Sequence, residues 1–207
     1  MINNNLLIIF VKNPELGKCK TRLAATIGDE KALRFYKNML VRTKEVTEQI
    51  NVDKAIYYSS FIDQNDIWSI HPPFYKFLQN PSPDLGIKMK SAFEDAFESG
   101  YESVCIIGSD CYALDAEIIE QAFESLKTQD AVLGPSNDGG YYLLGMNRLI
   151  PELFAGKKWS TESVATDTIQ DFNKLNLQYS LLEELTDIDT EEDLRSIPAD
   201  TVEKLLK

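Results

Sequence analysis

The residue types best suited to chemistry fall in four separate segments. The first is Lys12-Asn-Pro14-Glu-Leu-Gly17-Lys-Cys-Lys20-Thr-Arg22-Leu. Four cations, Lys12, Lys18, Lys20 and Arg22, stand within eleven positions against one acid, Glu15. Pro14 and Gly17 favour turns, so the stretch folds back on itself. Lysine point charges and an arginine fork on one loop suit the oxygens of a polyphosphate. A solvated basic loop is the plainer alternative, but the surrounding chain is strongly acidic. Gly17-Lys18 is followed by Cys19, which breaks the P-loop pattern, and no G-x-G-x-x-G occurs.

The second segment is Gly108-Ser109-Asp110-Cys111. An aspartate at a strand end is a hard-oxygen ligand suited to Mg²⁺ or Mn²⁺; an Asx turn or helix cap would use the same residue. Cys111 has no base beside it, because the one histidine is His71. The third segment runs Leu133-Gly-Pro-Ser-Asn-Asp138-Gly139-Gly140-Tyr141-Tyr142-Leu-Leu-Gly145. Its glycines allow close approach to a ligand, and Asp138-Gly139 is equally a hairpin signal. The fourth, residues 183–193, carries seven acids and no cation. Thr190 with Asp193 forms an acidic capping box. Asp187 and Asp189 are left free to act as ligands, and in an extended chain they point the same way.

The rest of the chain must position these segments. With 207 residues, 43% hydrophobic and 26% charged, it can bury a core of its own, and one domain over residues 1–207 is expected. No linker or repeat divides it. The excess of 33 acids over 21 bases, formal charge −12, argues against a nucleic-acid partner and against docking on an anionic membrane. Three scattered cysteines, Cys19, Cys105 and Cys111, suggest a cytoplasmic protein rather than a disulfide scaffold. The apolar run at residues 6–11 is too short for a signal-peptide core or a membrane span. It reads as a strand covered on both faces.

Further strands are expected at 55–59, 75–78, 104–107, 131–133, 141–144 and 177–182. Helices are expected at 29–50 with Asp29 as N-cap, at 85–97 before Gly100, at 115–126 and at 161–173, with a short acidic helix from Thr190. Such alternation predicts a three-layer α/β/α sandwich around a mostly parallel sheet. Ligands bind such sheets at the carboxyl ends of the strands, where these four segments lie.

The order Phe10-x-Lys12-x-Pro14-x-x-Gly17-x-x-Lys20-Thr21-Arg22-Leu23, Gly108-Ser-Asp110-Cys111, Leu133-Gly-Pro-x-x-Asp138-Gly-Gly-Tyr-Tyr and Asp187-Ile-Asp189-Thr-x-Glu-Asp193 resembles the nucleotide-diphospho-sugar transferase superfamily. It is similar in particular to the radical-SAM/selenodomain-associated transferases, and also to the guanylyltransferases of molybdenum cofactor and 2-phospho-lactate. The likeness spans about residues 6–195. It implies a Rossmann-like glycosyltransferase-A fold and a transferase dependent on Mg²⁺ or Mn²⁺, with a nucleotide or nucleotide-sugar substrate and a small-molecule acceptor. Carried over by position, Lys12, Pro14, Gly17, Lys20, Arg22 and Ser109 would contact the nucleotide. Asp110, Asp189 and Asp187 would hold the metal. Asp138, Gly139, Gly140, Trp159 and Thr161 would face the acceptor or sugar, with Asp138, Lys20 and Arg22 taking part in catalysis. One departure is Tyr112, where many relatives have proline.

The resemblance implies glycosyl transfer or, alternatively, nucleotidyl transfer with loss of pyrophosphate. A non-catalytic nucleotide sensor is the rival from another class. A haloacid-dehalogenase-like phosphatase would need D-x-D at the first strand, which ends instead in Phe10-Val11-Lys12. Phe61, Trp68, Phe74 and Tyr75 around His71-Pro72-Pro73 could offer a partner surface, and oligomeric state stays open.

Overall fold

A computed structural model describes residues 4–69 and 75–207. The elements run β1 (Asn5–Val11), α1 (Thr21–Ile27), α2 (Asp29–Glu48), β2 (Asp53–Tyr58), β3 (Tyr75–Leu78), α3 (Leu85–Glu98) and β4 (Ser103–Ile107). They continue α4 (Ala116–Ser125), β5 (Ala131–Pro135), β6 (Tyr141–Met146), α5 (Val164–Lys174), β7 (Tyr179–Leu181) and α6 (Ala199–Leu206). The strands form one sheet in the order β3-β2-β1-β4-β6-β5-β7. Every neighbouring pair is parallel except the two that involve β6.

The two-residue period of β1 divides the core. Leu7, Ile9 and Val11 face α2 and α4, packing with Tyr36, Leu40, Ile119 and Phe123. Leu6 and Ile8 face α3 and α5, packing with Met89, Phe93 and Phe172. Each face of the sheet therefore carries a helical layer, as the expected sandwich requires. A third apolar cluster joins Leu23 of α1, Phe35 and Met39 of α2, Ile188 and Leu205 of α6. It anchors the start of α1 and the acidic segment to one support.

β1 pairs with β2 on one side and β4 on the other, so the chain reverses its direction of progress across the sheet at β1. A crevice opens between the carboxyl ends of β1 and β4 at such a switch point. Lys12 follows one of these ends and Ser109 and Asp110 the other.

Some local expectations need correction. Asp29 is the first residue of α2 rather than its cap: Gly28 caps it, at φ 88, without a side-chain bond. Helix α1 is not expected from the sequence, because its seven residues are too few to display a period. Asp84 and Asp115 do cap helices, accepting from the amides of Ile87 and Ile118. The Thr190–Asp193 box forms, with Asp193 accepting from the Thr190 amide at 2.7 Å. It opens only a 3₁₀ turn at Asp193–Ser196, because Pro198 forces a break before α6. Trp68 is buried at 2% exposure and so offers no partner surface, whereas Phe61 and Tyr75 are exposed. His71, Pro72, Pro73 and Phe74 lie outside the described residues. Among the described residues no helix is long and apolar enough to cross a membrane.

Candidate active site

The cation-rich segment is clamped at both ends. Asn13, 3% exposed, accepts from the amides of Ser60 (3.0 Å) and Phe61 (3.3 Å) and donates to the Phe61 carbonyl at 2.8 Å. Its own carbonyl accepts from the Cys19 thiol at 3.2 Å. Tyr36 reaches up from α2: its hydroxyl accepts from the Lys12 amide at 2.8 Å and lies 3.2 Å from the Ser109 hydroxyl. A single buried phenol thus ties the loop after β1 to the loop after β4. Burial first, and then the nearby Asp110 carboxylate, raise its pKa well above the ordinary phenol range, so it stays a neutral hydrogen-bonding group.

Lys20 occupies the left-handed region, φ 48, directly before α1. This conformation turns its side chain under the loop, where the ammonium lies 2.6 Å from Asp110 Oδ1 and 2.9 Å from Asp189 Oδ1. Arg22 pairs with the other oxygen of Asp189. Burial alone would lower the Lys20 pKa, but the two carboxylates outweigh it and hold it above the ordinary value. For Asp189 burial pulls upward, and Lys20 and Arg22 pull it below the usual carboxylate range.

The acidic segment is sewn to the loop after β4. The Ile188 amide donates to the Asp110 carbonyl at 2.9 Å, and Cys111 and Asp187 form a one-residue antiparallel bridge. Asp187 therefore stands beside Asp110, half-buried, with no ion pair or side-chain hydrogen bond among the described residues. Burial and the Asp110 and Asp138 carboxylates push its pKa up to about 7. Cys111 is no nucleophile, since burial and Asp187 push its thiol up to about 12.

The glycine-rich turn between β5 and β6 forms the opposite wall. Asp138 Oδ1 accepts from the Gly140 amide at 2.9 Å and from the Ser136 hydroxyl, so one of its oxygens closes an Asx turn. Gly139 sits at φ 85, and a Cβ there would lie 2.0 Å from the Glu162 carbonyl oxygen. Only glycine lets residues 161–165 cross so near. Trp159, just before this segment, packs against Gly86 of α3, where an added Cβ would meet its ring at 2.5 Å. The indole thereby spans from this wall to α3.

These walls enclose two joined compartments. One, of about 480 Å³, opens at the switch point and is lined by Phe10, Lys12, Gln79, Lys88, Ser109 and Asp110 among others. The other, of about 1270 Å³, is lined by Arg22, Asp138, Gly139, Gly140, Trp159 and Thr161. Asp110, Asp187, Asp189 and Arg22 border both, so the charged residues mark the junction. The sequence-predicted site residues line these compartments, except Pro14 and Gly17, which shape the loop, and Lys20, which sits behind Asp110 and Asp189 beside a smaller polar cavity. Sequence reasoning passed over Asn13, Tyr36, Gln79, Lys88 and Gly86. Tyr36 was legible only as one more apolar residue on the α2 face, and nothing in the local pattern marks the others.

Residues 41–161 match the family described as an uncharacterized protein conserved in bacteria (DUF2064). None of the curated proteins matches the chain. A candidate nucleotide-diphospho-sugar transferase from Desulfovibrio desulfuricans G20 is 30% identical, with 97% of this chain and 88% of that one covered and a TM-score of 0.88. At lower identity, 13%, the fold is shared with 4-diphosphocytidyl-2C-methyl-D-erythritol synthase from Anaerococcus prevotii DSM 20548, which covers 95% of this chain and 97% of its own at a TM-score of 0.59. It is shared too with the inositol-1-phosphate CTP transferase of T. maritima, at 13% identity, 97% and 94% coverage and a TM-score of 0.58. The chain belongs to the DUF2064 family and has the fold of the nucleotide-diphospho-sugar transferase superfamily.

Proposed function

We propose that this cleft is the active site of a transferase that uses a nucleotide donor, either a nucleotide sugar or a nucleoside triphosphate, and a small polar acceptor. The observation that carries the reading is the junction itself. Cations from the loop after β1 and carboxylates from the loops after β4 and β7 meet where a smaller compartment opens into a larger one. The smaller compartment, at the switch point, suits the nucleoside. The larger suits the transferred group or the acceptor, and donor phosphates would then lie between them.

The donor set fits a divalent metal. Asp110, Asp187 and Asp189 offer hard oxygens, and Lys20 with Arg22 leaves the three clustered acids one positive charge short. Mg²⁺ or Mn²⁺ held by Asp110 and Asp189, with Asp187 beside them, would neutralise phosphate oxygens as charge develops on the leaving group. The chain's own groups do the rest. Lys12 and Lys20 bind phosphate oxygens, and Arg22, whose side chain is 71% exposed, forks onto those nearest the acceptor. Tyr36 holds Lys12 and Ser109 in register, so these donors need little rearrangement when a charge builds up. The free oxygen of Asp138 can orient an acceptor hydroxyl.

A second reading, nucleotidyl transfer, is supported by the placing of Lys12, Lys20 and Arg22. All three flank one polar cavity into which departing pyrophosphate could move. Incubation with each nucleoside triphosphate and nucleotide sugar, plus Mn²⁺ and a panel of polar acceptors, distinguishes the cases by product. Nucleoside diphosphate release indicates glycosyl transfer and pyrophosphate release indicates nucleotidyl transfer. Binding without turnover across the panel would favour a sensor. Asp110→Asn should abolish metal-dependent nucleotide binding, and an unchanged titration in that variant would refute the assignment.

A further inference from the structure

We infer that Lys20 is the resident counter-ion of the divalent-cation site, and that the site opens to metal when a phosphate draws the lysine away; this rests on the reading of the cleft as a nucleotide site. The ammonium of Lys20 contacts acids from two different loops, at 2.6 Å from Asp110 and 2.9 Å from Asp189. Its side chain is only 4% exposed. A cation bridging the Oδ1 atoms of these two carboxylates would sit where this ammonium already sits. Among the described residues no group of three metal-binding side chains stands ready for an ion, although three acids are close together.

The lysine has a way out. A polar cavity of about 80 Å³ adjoins it, flanked by Lys12, Arg22 and Tyr36 and by the Asp110 and Asp189 carboxylates. An anion entering there meets three cations, two of them already paired with carboxylates, and can compete for the ammonium, since N⁺–H···O⁻ bonds to phosphate are of the same charge-assisted kind as those to a carboxylate. The flexible four-carbon stem allows the shift, while the left-handed backbone at Lys20 stays fixed by α1 and the Cys19–Asn13 contact. Two ligands that each favour the displaced lysine must strengthen one another's binding, and the coupling is reciprocal. The empty protein would then take up metal poorly, and donor phosphates and metal would bind together.

Two titrations on wild type and Lys20→Met test this. One is Mn²⁺ alone, followed by electron paramagnetic resonance in phosphate-free buffer. The other is pyrophosphate alone, followed by calorimetry without metal. The variant should bind Mn²⁺ about tenfold tighter or more, and pyrophosphate about tenfold weaker or worse. A lysine that serves only to hold the fold would lower both affinities together, and that result overturns the inference. So does equal Mn²⁺ affinity in the two proteins, or uptake by neither. If Lys20→Met fails to fold, Lys20→Gln retains a hydrogen-bond donor without the charge and carries the same expectations. A protein that shows these opposite changes but binds no nucleotide keeps the exchange and refutes the nucleotide reading.

Discussion

Asp187→Asn isolates the electrostatic cost of the carboxylate cluster. The Asp187 carboxyl titrates at about 7 in the folded protein, raised from 3.8 by burial and by Asp110 and Asp138. Between these values the native state keeps a proton that the unfolded chain has lost. Stability therefore falls as pH rises through the window from about 4 to 7. At 1.36 kcal/mol for each pH unit of separation, the loss is complete above pH 7 and amounts to about 4 kcal/mol at most. Asparagine has the same shape and no charge. The substitution gives up no ion pair or side-chain hydrogen bond among the described residues, so the relief is not offset. The variant should exceed wild type by about 2–4 kcal/mol at pH 8, or about 5–10 °C in melting temperature for a chain of this size. At pH 5, only about one unit above the unfolded value of 3.8, the difference should shrink to about 1.6 kcal/mol, and it should vanish below about pH 4. Thermal unfolding by circular dichroism, in a chelating buffer at both pH values, gives the comparison. No gain at pH 8, or an equal gain at pH 5, would show that the cluster imposes no such cost on Asp187.

Two further substitutions test the supports of the site. Tyr36→Phe removes the hydroxyl that holds Lys12 and Ser109 and leaves the Lys12 amide without this partner. Urea denaturation should show a loss of about 1–3 kcal/mol, and metal-free pyrophosphate affinity, read by calorimetry, should fall as well. Gly139→Ala combines a strained φ of 85° with a Cβ placed 2.0 Å from the Glu162 carbonyl. Because backbone faces backbone there, the melting temperature should fall by about 10 °C or more, corresponding to several kcal/mol.

Much of this architecture is legible along the chain because its signals are local. The unbroken apolar run Leu6–Leu7–Ile8–Ile9 announces a strand buried on both faces, and the strand-helix alternation announces the sandwich. The candidate site is legible for a related reason: Lys12, Lys20, Asp110, Asp138 and Asp189 all follow strands, so a parallel sheet delivers them to one edge. What the sequence does not disclose are relations across distance. Lys20 and Asp189 are 169 positions apart, and nothing local predicts that an ammonium bridges two of the expected metal ligands. Tyr36 reads as core because its ring is core; only the fold aims its hydroxyl at Lys12. Gly86 is one glycine in a helix until Trp159 is laid upon it. Helix α1 escapes notice because seven residues give tertiary contacts, here Leu23 against Phe35 and Ile188, more weight than periodicity.

In the proposed complex, nucleotide phosphates lie between the basic loop and the acidic junction. Amide hydrogen exchange, with and without saturating nucleotide and Mg²⁺, locates the contact directly. Protection should rise in peptides covering residues 12–22, 108–111 and 185–189 together. Protection confined to other surfaces, with these three unchanged, would place the nucleotide elsewhere.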